Sequence, residues 1–163
     1  MSDPAAGAAG WPKPAIPVHI GLAVADLDAA MAKFGPLLGL TWGEPVRGLW
    51  QEYLVAGSRV RWSLSYVKST VGQPQIELLQ GGPGSTWHTD ASGALHHYAF
   101  ATPRPAADRR RFLGLGWRLD LCRADADPDT SFAYLTRAGD VRVELVPIDS
   151  TPVQPVSQQG GRA

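Results

Sequence analysis

The chain has 163 residues, with fifteen basic and fifteen acidic side chains, 44% hydrophobic residues and six tryptophans. This is a globular composition, long enough for one compact domain or two small modules sharing a core, and its charge balance offers no field to attract nucleic acid or an anionic membrane. No apolar run approaches a membrane span, the start lacks a secretory pattern, and the lone Cys122 excludes an internal disulfide, so the expectation is a soluble cytoplasmic domain.

Residues 1–16 are rich in Ala, Gly and Pro and are read as a flexible N-terminal arm. The stretch "VHIGLAV" at 18–24 predicts a strand. Asp26 then offers a helix N-cap, the apolar letters of "LDAAMAKFGPLL" recur at helical spacing, and Gly39 is placed to close the helix. Three strands are predicted near 49–55, 59–67 and 75–80, each bounded by Gly, Ser or Pro.

Residues 81–94 form a loop, read first as a plain linker. Because the loop follows a strand with a candidate site residue, the second reading makes it a flap whose His88 and Asp90 touch substrate. Beyond it come a strand at 95–102, a helix over "PAADRRRFLGLG", and strands near 117–123, 131–136 and 141–147. The run Arg109-Arg110-Arg111 reads as a solvated helix face, and residues 149–163 as a flexible tail.

Both halves, 17–80 and 95–148, therefore read β-α-β-β-β, and the likeness extends to residues. "HIGLAV" at 19–24 aligns with "HYAFAT" at 97–102. Fifteen residues after each aligned histidine stands a phenylalanine, Phe34 and Phe112. "GLTW" at 39–42 matches "GLGW" at 114–117, and each half ends on a branched residue followed by Glu-Leu: Ile76-Glu77-Leu78 and Val143-Glu144-Leu145. An internal duplication accounts for all of this at once.

Neighbouring side chains on a strand point to opposite faces. His19 thus shares a face with Gly21 and Ala23, and His97 with Ala99 and Ala101, small neighbours that leave room above the sheet. His96 is expected on the other face with Tyr98 and Phe100, packed beneath the second helix. Glu77 and Glu144 likewise point away from the apolar residues that flank them. Burying two carboxylates together is costly unless a positive charge neutralises them, and a divalent cation does so most simply. Taken singly, each residue could be a strand-end group satisfied by hydrogen bonds, or a glutamate paired with Arg61 or Arg142. Recurrence of all four at duplicated positions favours a metal. Two imidazoles and two carboxylates suit Zn²⁺, Ni²⁺, Co²⁺, Fe²⁺ or Mn²⁺, and leave positions open on an octahedral ion, as catalysis requires. Trp42, Trp50, Trp62, Trp87 and Trp117 are read mainly as core; one or two lining a cavity would favour an aromatic substrate.

These residues resemble the vicinal oxygen chelate superfamily, the glyoxalase/bleomycin-resistance/methylmalonyl-CoA-epimerase group, over roughly 17–148. The segments that carry the resemblance are "HIGLAVADLDAAMAKFGPLLGLTW", "QIELLQ", "LHHYAFAT" and "VRVELVP". It implies an α+β fold in which two βαβββ modules form a curved eight-stranded mixed sheet around a divalent metal. His19, Glu77, His97 and Glu144 are the implied ligands, and a homodimer the implied assembly. Where glyoxalase I members carry an Arg and an Asn for glutathione, this chain has Ala23 and Gly81, which argues against a glutathione hemithioacetal. Glu77 stands where methylmalonyl-CoA epimerases usually have Gln.

The implied activity is that of a metal-dependent isomerase, epimerase or lyase stabilising the enolate of a carbonyl substrate, aromatic or CoA-linked. Glu144 is the first choice of base and Glu77 the second. Two further readings are an Fe(II)-dependent oxygenase on a ring substrate and a protein that sequesters an aromatic ligand without turnover.

Overall fold

The computed structural model describes residues 16–127 and 130–148; apart from Ile16, the expected arm and tail lie outside the described residues. The first series comprises β1 (His19–Ala23), α1 (Leu27–Leu38), β2 (Val46–Val55), β3 (Ser58–Lys68) and β4 (Gln75–Gly81). The second repeats it as β5 (Ala94–Thr102), α2 (Pro105–Gly114), β6 (Arg118–Arg123), β7 (Ala133–Thr136) and β8 (Val143–Pro147). The strands close into one barrel in the order β1-β4-β3-β2-β6-β7-β8-β5, the mixed eight-stranded sheet that the resemblance implies, with both series in a single chain. Among the described residues no helix is long and apolar enough to cross a membrane.

The duplication is written into the strand register. β1 and β5 pair antiparallel with Ile20 opposite Tyr98, and each of these directly follows its series' histidine. The pairing is therefore centred on equivalent residues, which makes the two halves a local two-fold pair. Parallel partners flank this centre equivalently, with Gly21 beside Glu77 on β4 and Ala99 beside Glu144 on β8. One histidine and one glutamate from each half reach the same stretch of wall.

The two-residue period sorts the remaining side chains. Outward, Val24, Leu27, Ala30, Val67 and Leu78 pack with Phe34 and Trp42 around α1. Leu135, Val143 and Leu145 pack with Phe112 and Trp117 around α2, so the repeated Phe and Trp do the same job twice. Inward, Tyr53, Leu64, Leu79, Trp87, Leu121 and Tyr134 form the barrel core. Each such side chain contributes about 1.5–3 kcal/mol when fully buried. The Asp26 side chain accepts from the Ala29 N–H and caps α1, and Gly39 ends it at a φ of 66°. α2 has no side-chain cap; the Thr102 hydroxyl instead donates to the buried Asp108 in its first turn, tying it to β5.

One expectation fails. Gly21 pairs with His97, but the next residue, Leu22, pairs with Leu95, so His96 is the extra residue of a β-bulge. The bulge breaks the alternation and turns His96 into the barrel beside Trp87 and Tyr134, not under α2. The loop at 81–94 also differs from a flap: Trp87 is fully buried in the barrel core, whereas His88 and Asp90 are exposed beside a separate surface hollow.

Candidate metal centre

His19, Glu77, His97 and Glu144 are all buried, and one donor atom from each lies within 4.8 Å of all the others. His19 Nε2 is 2.8 Å from Glu144 Oε2, 3.3 Å from Glu77 Oε2 and 3.1 Å from His97 Nε2. His97 Nε2 lies 3.1 Å from Glu144 Oε2 and 3.5 Å from Glu77 Oε2. Neighbouring donors held at about 2.1 Å from a six-coordinate ion sit about 3 Å apart, so the cluster has the dimensions of a first coordination sphere. The mixed nitrogen and oxygen set, with no sulfur, fits a divalent transition ion.

Small residues make this approach possible. A Cβ built on Gly21 would fall 2.1 Å from His97 Cε1, so the imidazole lies directly over the β1 backbone. At Gly81 a Cβ would meet Ser85 Oγ at 2.2 Å and Trp87 Cβ at 2.8 Å. Glycine there lets the inter-series loop fold back and insert Trp87, which accounts for the absence of a longer side chain at that position.

The electrostatics are those of two carboxylates sharing whatever positive charge is at hand. Burial alone would depress His19, but Glu77 and Glu144 outweigh it and push its pKa up to about 9. Burial would raise both glutamates, yet His19 beside Glu77, and His97 with His19 beside Glu144, hold both below the usual carboxylate range. Lys68 adds a cation on one side only, with Nζ 3.5 Å from Glu77 Oε1 and 3.5 Å from His19 Nδ1. The arginines considered as glutamate partners do something else. Arg142 pairs with Asp120 and approaches His96, while Arg61 stacks on the exposed Trp50.

Three contributors lack a local sequence signal. His96 sits behind His97 with the two Nδ1 atoms 2.9 Å apart. Tyr134 lies 5.0 Å from the His97 ring centroid, and its hydroxyl accepts the Trp87 indole N–H at 3.2 Å. Burial, then the Glu144 and Glu77 charges, keep that phenol well above its ordinary pKa. Lys68 is found only once β3 is paired with β4, where it stands opposite Glu77.

His19, Glu77 and Glu144 form one end of a cavity of about 330 Å³. Tyr53, Tyr66, Trp87, Phe132 and Tyr134 line it with Leu64 and Leu79, and Lys68 and Arg123 bring positive charge. This is the size of a small-ligand site, with aromatic and aliphatic walls and several charged groups.

Comparison with known proteins agrees with the geometry. The family described as Glyoxalase/Bleomycin resistance protein/Dioxygenase superfamily matches residues 18–134. No curated protein sequence matches the chain. Among solved structures, methylmalonyl-CoA epimerase from Mycobacterium tuberculosis is similar, with a TM-score of 0.52 and 21% identity over 79% of this chain and 85% of that one. A hypothetical protein from Bacillus halodurans gives 0.55 and 16% over 83% and 95% of the respective chains. A mutant of 4-hydroxymandelate synthase from Streptomyces coelicolor gives 0.55 and 18%, covering 82% of this chain and 38% of that one. At these identities the likeness speaks for the fold.

Proposed function

Because the chain belongs to the Glyoxalase/Bleomycin resistance protein/Dioxygenase superfamily, we propose that it is a divalent-metal-dependent isomerase, epimerase or lyase acting on a compact carbonyl substrate. The observation carrying this reading is the convergence of four buried donors, at duplicated positions, at the end of an aromatic cavity. His19, Glu77, His97 and Glu144 would hold the ion, which when bound supplies Lewis acidity to a carbonyl oxygen and so acidifies the neighbouring C–H. Glu144 is the base that takes the proton from that carbon and returns it to another face or carbon, with Glu77 the second candidate. Lys68 favours this order, because its ammonium lies 3.5 Å from Glu77 Oε1 and engages the oxygen that Glu77 would otherwise turn to substrate.

The walls support a choice of substrate. Tyr53, Tyr66, Trp87 and Phe132 suit a planar or aromatic body and exclude water from it, while Lys68 and Arg123 suit an anionic substituent. A CoA-linked acyl group is the other class, in keeping with the name of the Mycobacterium tuberculosis structure. A homodimer belongs to the same reading and is checked by sedimentation.

The test begins with metal analysis of protein purified without added metal. Proton NMR of candidate carbonyl compounds in D₂O then follows exchange at the adjacent carbon. Chelator-sensitive deuterium incorporation supports the proposal; protein that neither carries nor takes up a divalent ion overturns it. The aromatic lining also favours a second reading, an Fe(II)-dependent oxygenase on a ring substrate. That reading predicts O₂ consumption on Fe²⁺ addition, and exchange under strict anaerobiosis decides against it.

A further inference from the structure

The second half of the barrel contains a chain of polar side chains, of which Asp120, Arg142 and His96 have no part in the proposed reaction. The Arg142 Nε–H donates to Asp120 Oδ2 at 3.0 Å, and Arg142 Nη1 lies 2.7 Å from His96 Nε2. His96 Nδ1 then faces His97 Nδ1 at 2.9 Å, and His97 Nε2 faces Glu144 Oε2 at 3.1 Å. A guanidinium can only donate. His96 Nε2 therefore accepts, the proton of neutral His96 sits on Nδ1, and it is donated to His97 Nδ1. The proton of neutral His97 is then left on Nε2, directed at Glu144. In this arrangement the nitrogen that faces the cluster carries hydrogen and has no lone pair for a metal.

The opposite arrangement is available in the same residues. The Thr86 carbonyl oxygen lies 3.2 Å from His96 Nε2. One ring nitrogen cannot accept from Arg142 and donate to Thr86 at once. With the proton on His96 Nε2, that group donates to Thr86, His96 Nδ1 accepts from His97 Nδ1–H, and His97 Nε2 presents its lone pair to the other three donors.

We infer that His96 is a positioning residue that sets which nitrogen of His97 is protonated, and that metal uptake requires Arg142 to yield His96 Nε2 to the Thr86 carbonyl. The inference rests on the metal reading given above. Arg142 thus opposes loading while His96 supports it, although the two are adjacent members of one chain.

The experiment uses ¹⁵N-histidine-labelled protein, in which the four histidines are resolved and their tautomers read from ring nitrogen shifts, without and with Zn²⁺. In metal-free wild type His97 is expected as the Nε2–H form, changing to Nδ1–H when Zn²⁺ binds. Arg142→Met should show the Nδ1–H form before metal is added and bind Zn²⁺ about tenfold more tightly, whereas His96→Phe should bind about 10–100-fold more weakly. The wild-type spectra need no variant, so a variant that fails to fold does not remove the test. The same His97 tautomer in both states overturns the inference. A gain in affinity for Arg142→Met with the His97 proton unmoved also overturns it, since Arg142 would then act as charge alone. Failure of wild type to bind Zn²⁺ at all sinks the metal reading and this inference with it.

Discussion

His19 and His97 hold equivalent places in the repeat, yet their surroundings have diverged. His19 lines the cavity and has Lys68 behind it, 3.5 Å from its Nδ1. His97 is wholly buried, packed over Gly21 and backed by His96 and Tyr134. Only the second half has the bulge that turns an extra imidazole inward. Duplication supplies donors in symmetrical pairs, but a substrate arrives from one side. Of the two imidazoles, His19 has stayed on the cavity side of the site and His97 has become the anchored one.

The largest expected effect tests this asymmetry at the two glutamates. Glu144→Gln should slow solvent deuterium exchange into substrate by about 10²–10⁴-fold, the usual contribution of a general base. Glu77→Gln, at the equivalent place but already charge-compensated by Lys68, should cost no more than about tenfold in the same assay. Equal losses with equal metal content would leave the glutamates indistinguishable and sink the assignment of the base.

The next comparison is between the residues facing each histidine across the ladder, Gly21 opposite His97 and Ala99 opposite His19. A methyl at Gly21 falls 2.1 Å from the His97 ring, in a part of the wall with no free space. Gly21→Ala should therefore displace His97, abolish metal uptake and destabilise the fold by about 1–3 kcal/mol. Ala99→Gly only loosens a strand and should cost about 0.5–1 kcal/mol with the metal retained. Chemical denaturation with and without Zn²⁺ checks both; a Gly21→Ala protein that loads normally would refute the close approach.

Much of this architecture follows from periods visible in the chain. The β-α-β-β-β order, the recurrence of Phe and Trp in each half and the shared inward face of one His and one Glu per series all come from alternation and repetition. His96 shows where that logic stops. A bulge is a property of two strands in register, and β1 and β5 are too far apart in the chain for their register to be visible in either segment. The same holds for Arg142, just before β8, whose partners Asp120 and His96 lie on β6 and β5. Closure of the barrel by a short pairing of Tyr53–Val55 on β2 with β6 has no local signature either. Trp87 sits in a segment whose letters read as a loop, and only the fold-back over Gly81 carries it inside.

A smaller effect concerns His19 and pH. The His19 pKa is raised from 6.5 to about 9, so the stability it contributes to the metal-free protein is complete below 6.5 and is lost as pH rises through 9. Glu77 and Glu144 are lowered from 4.5, so their contribution is present above that value and lost as pH falls. For this cluster the metal-free fold is best served between about 4.5 and 6.5. A divalent ion takes the place of the His19 proton, and fewer protons are displaced as pH rises. The gain in Tm on adding Zn²⁺ should therefore grow steadily from pH 6.5 to pH 9. A gain that is flat over this range, measured by differential scanning fluorimetry, would mean that His19 is not protonated in the metal-free cluster.

The smallest effect distinguishes the repeated tryptophans outside the barrel. Trp42 donates its indole N–H to the Met31 carbonyl at 3.1 Å, tying the segment after α1 back onto the helix. Trp117 makes no such bond among those described; it packs edge-on against Phe112 and lies under the Arg137 guanidinium at 5.1 Å. Trp42→Phe should cost about 1 kcal/mol because a half-buried carbonyl loses a donor. Trp117→Phe keeps a ring for the cation and should cost about 0.5 kcal/mol or less. Matched urea denaturation curves decide between them. If the second loss equals or exceeds the first, the hydrogen bond to α1 carries no more weight than plain packing, and the two outer faces of the barrel are energetically alike despite their different chemistry.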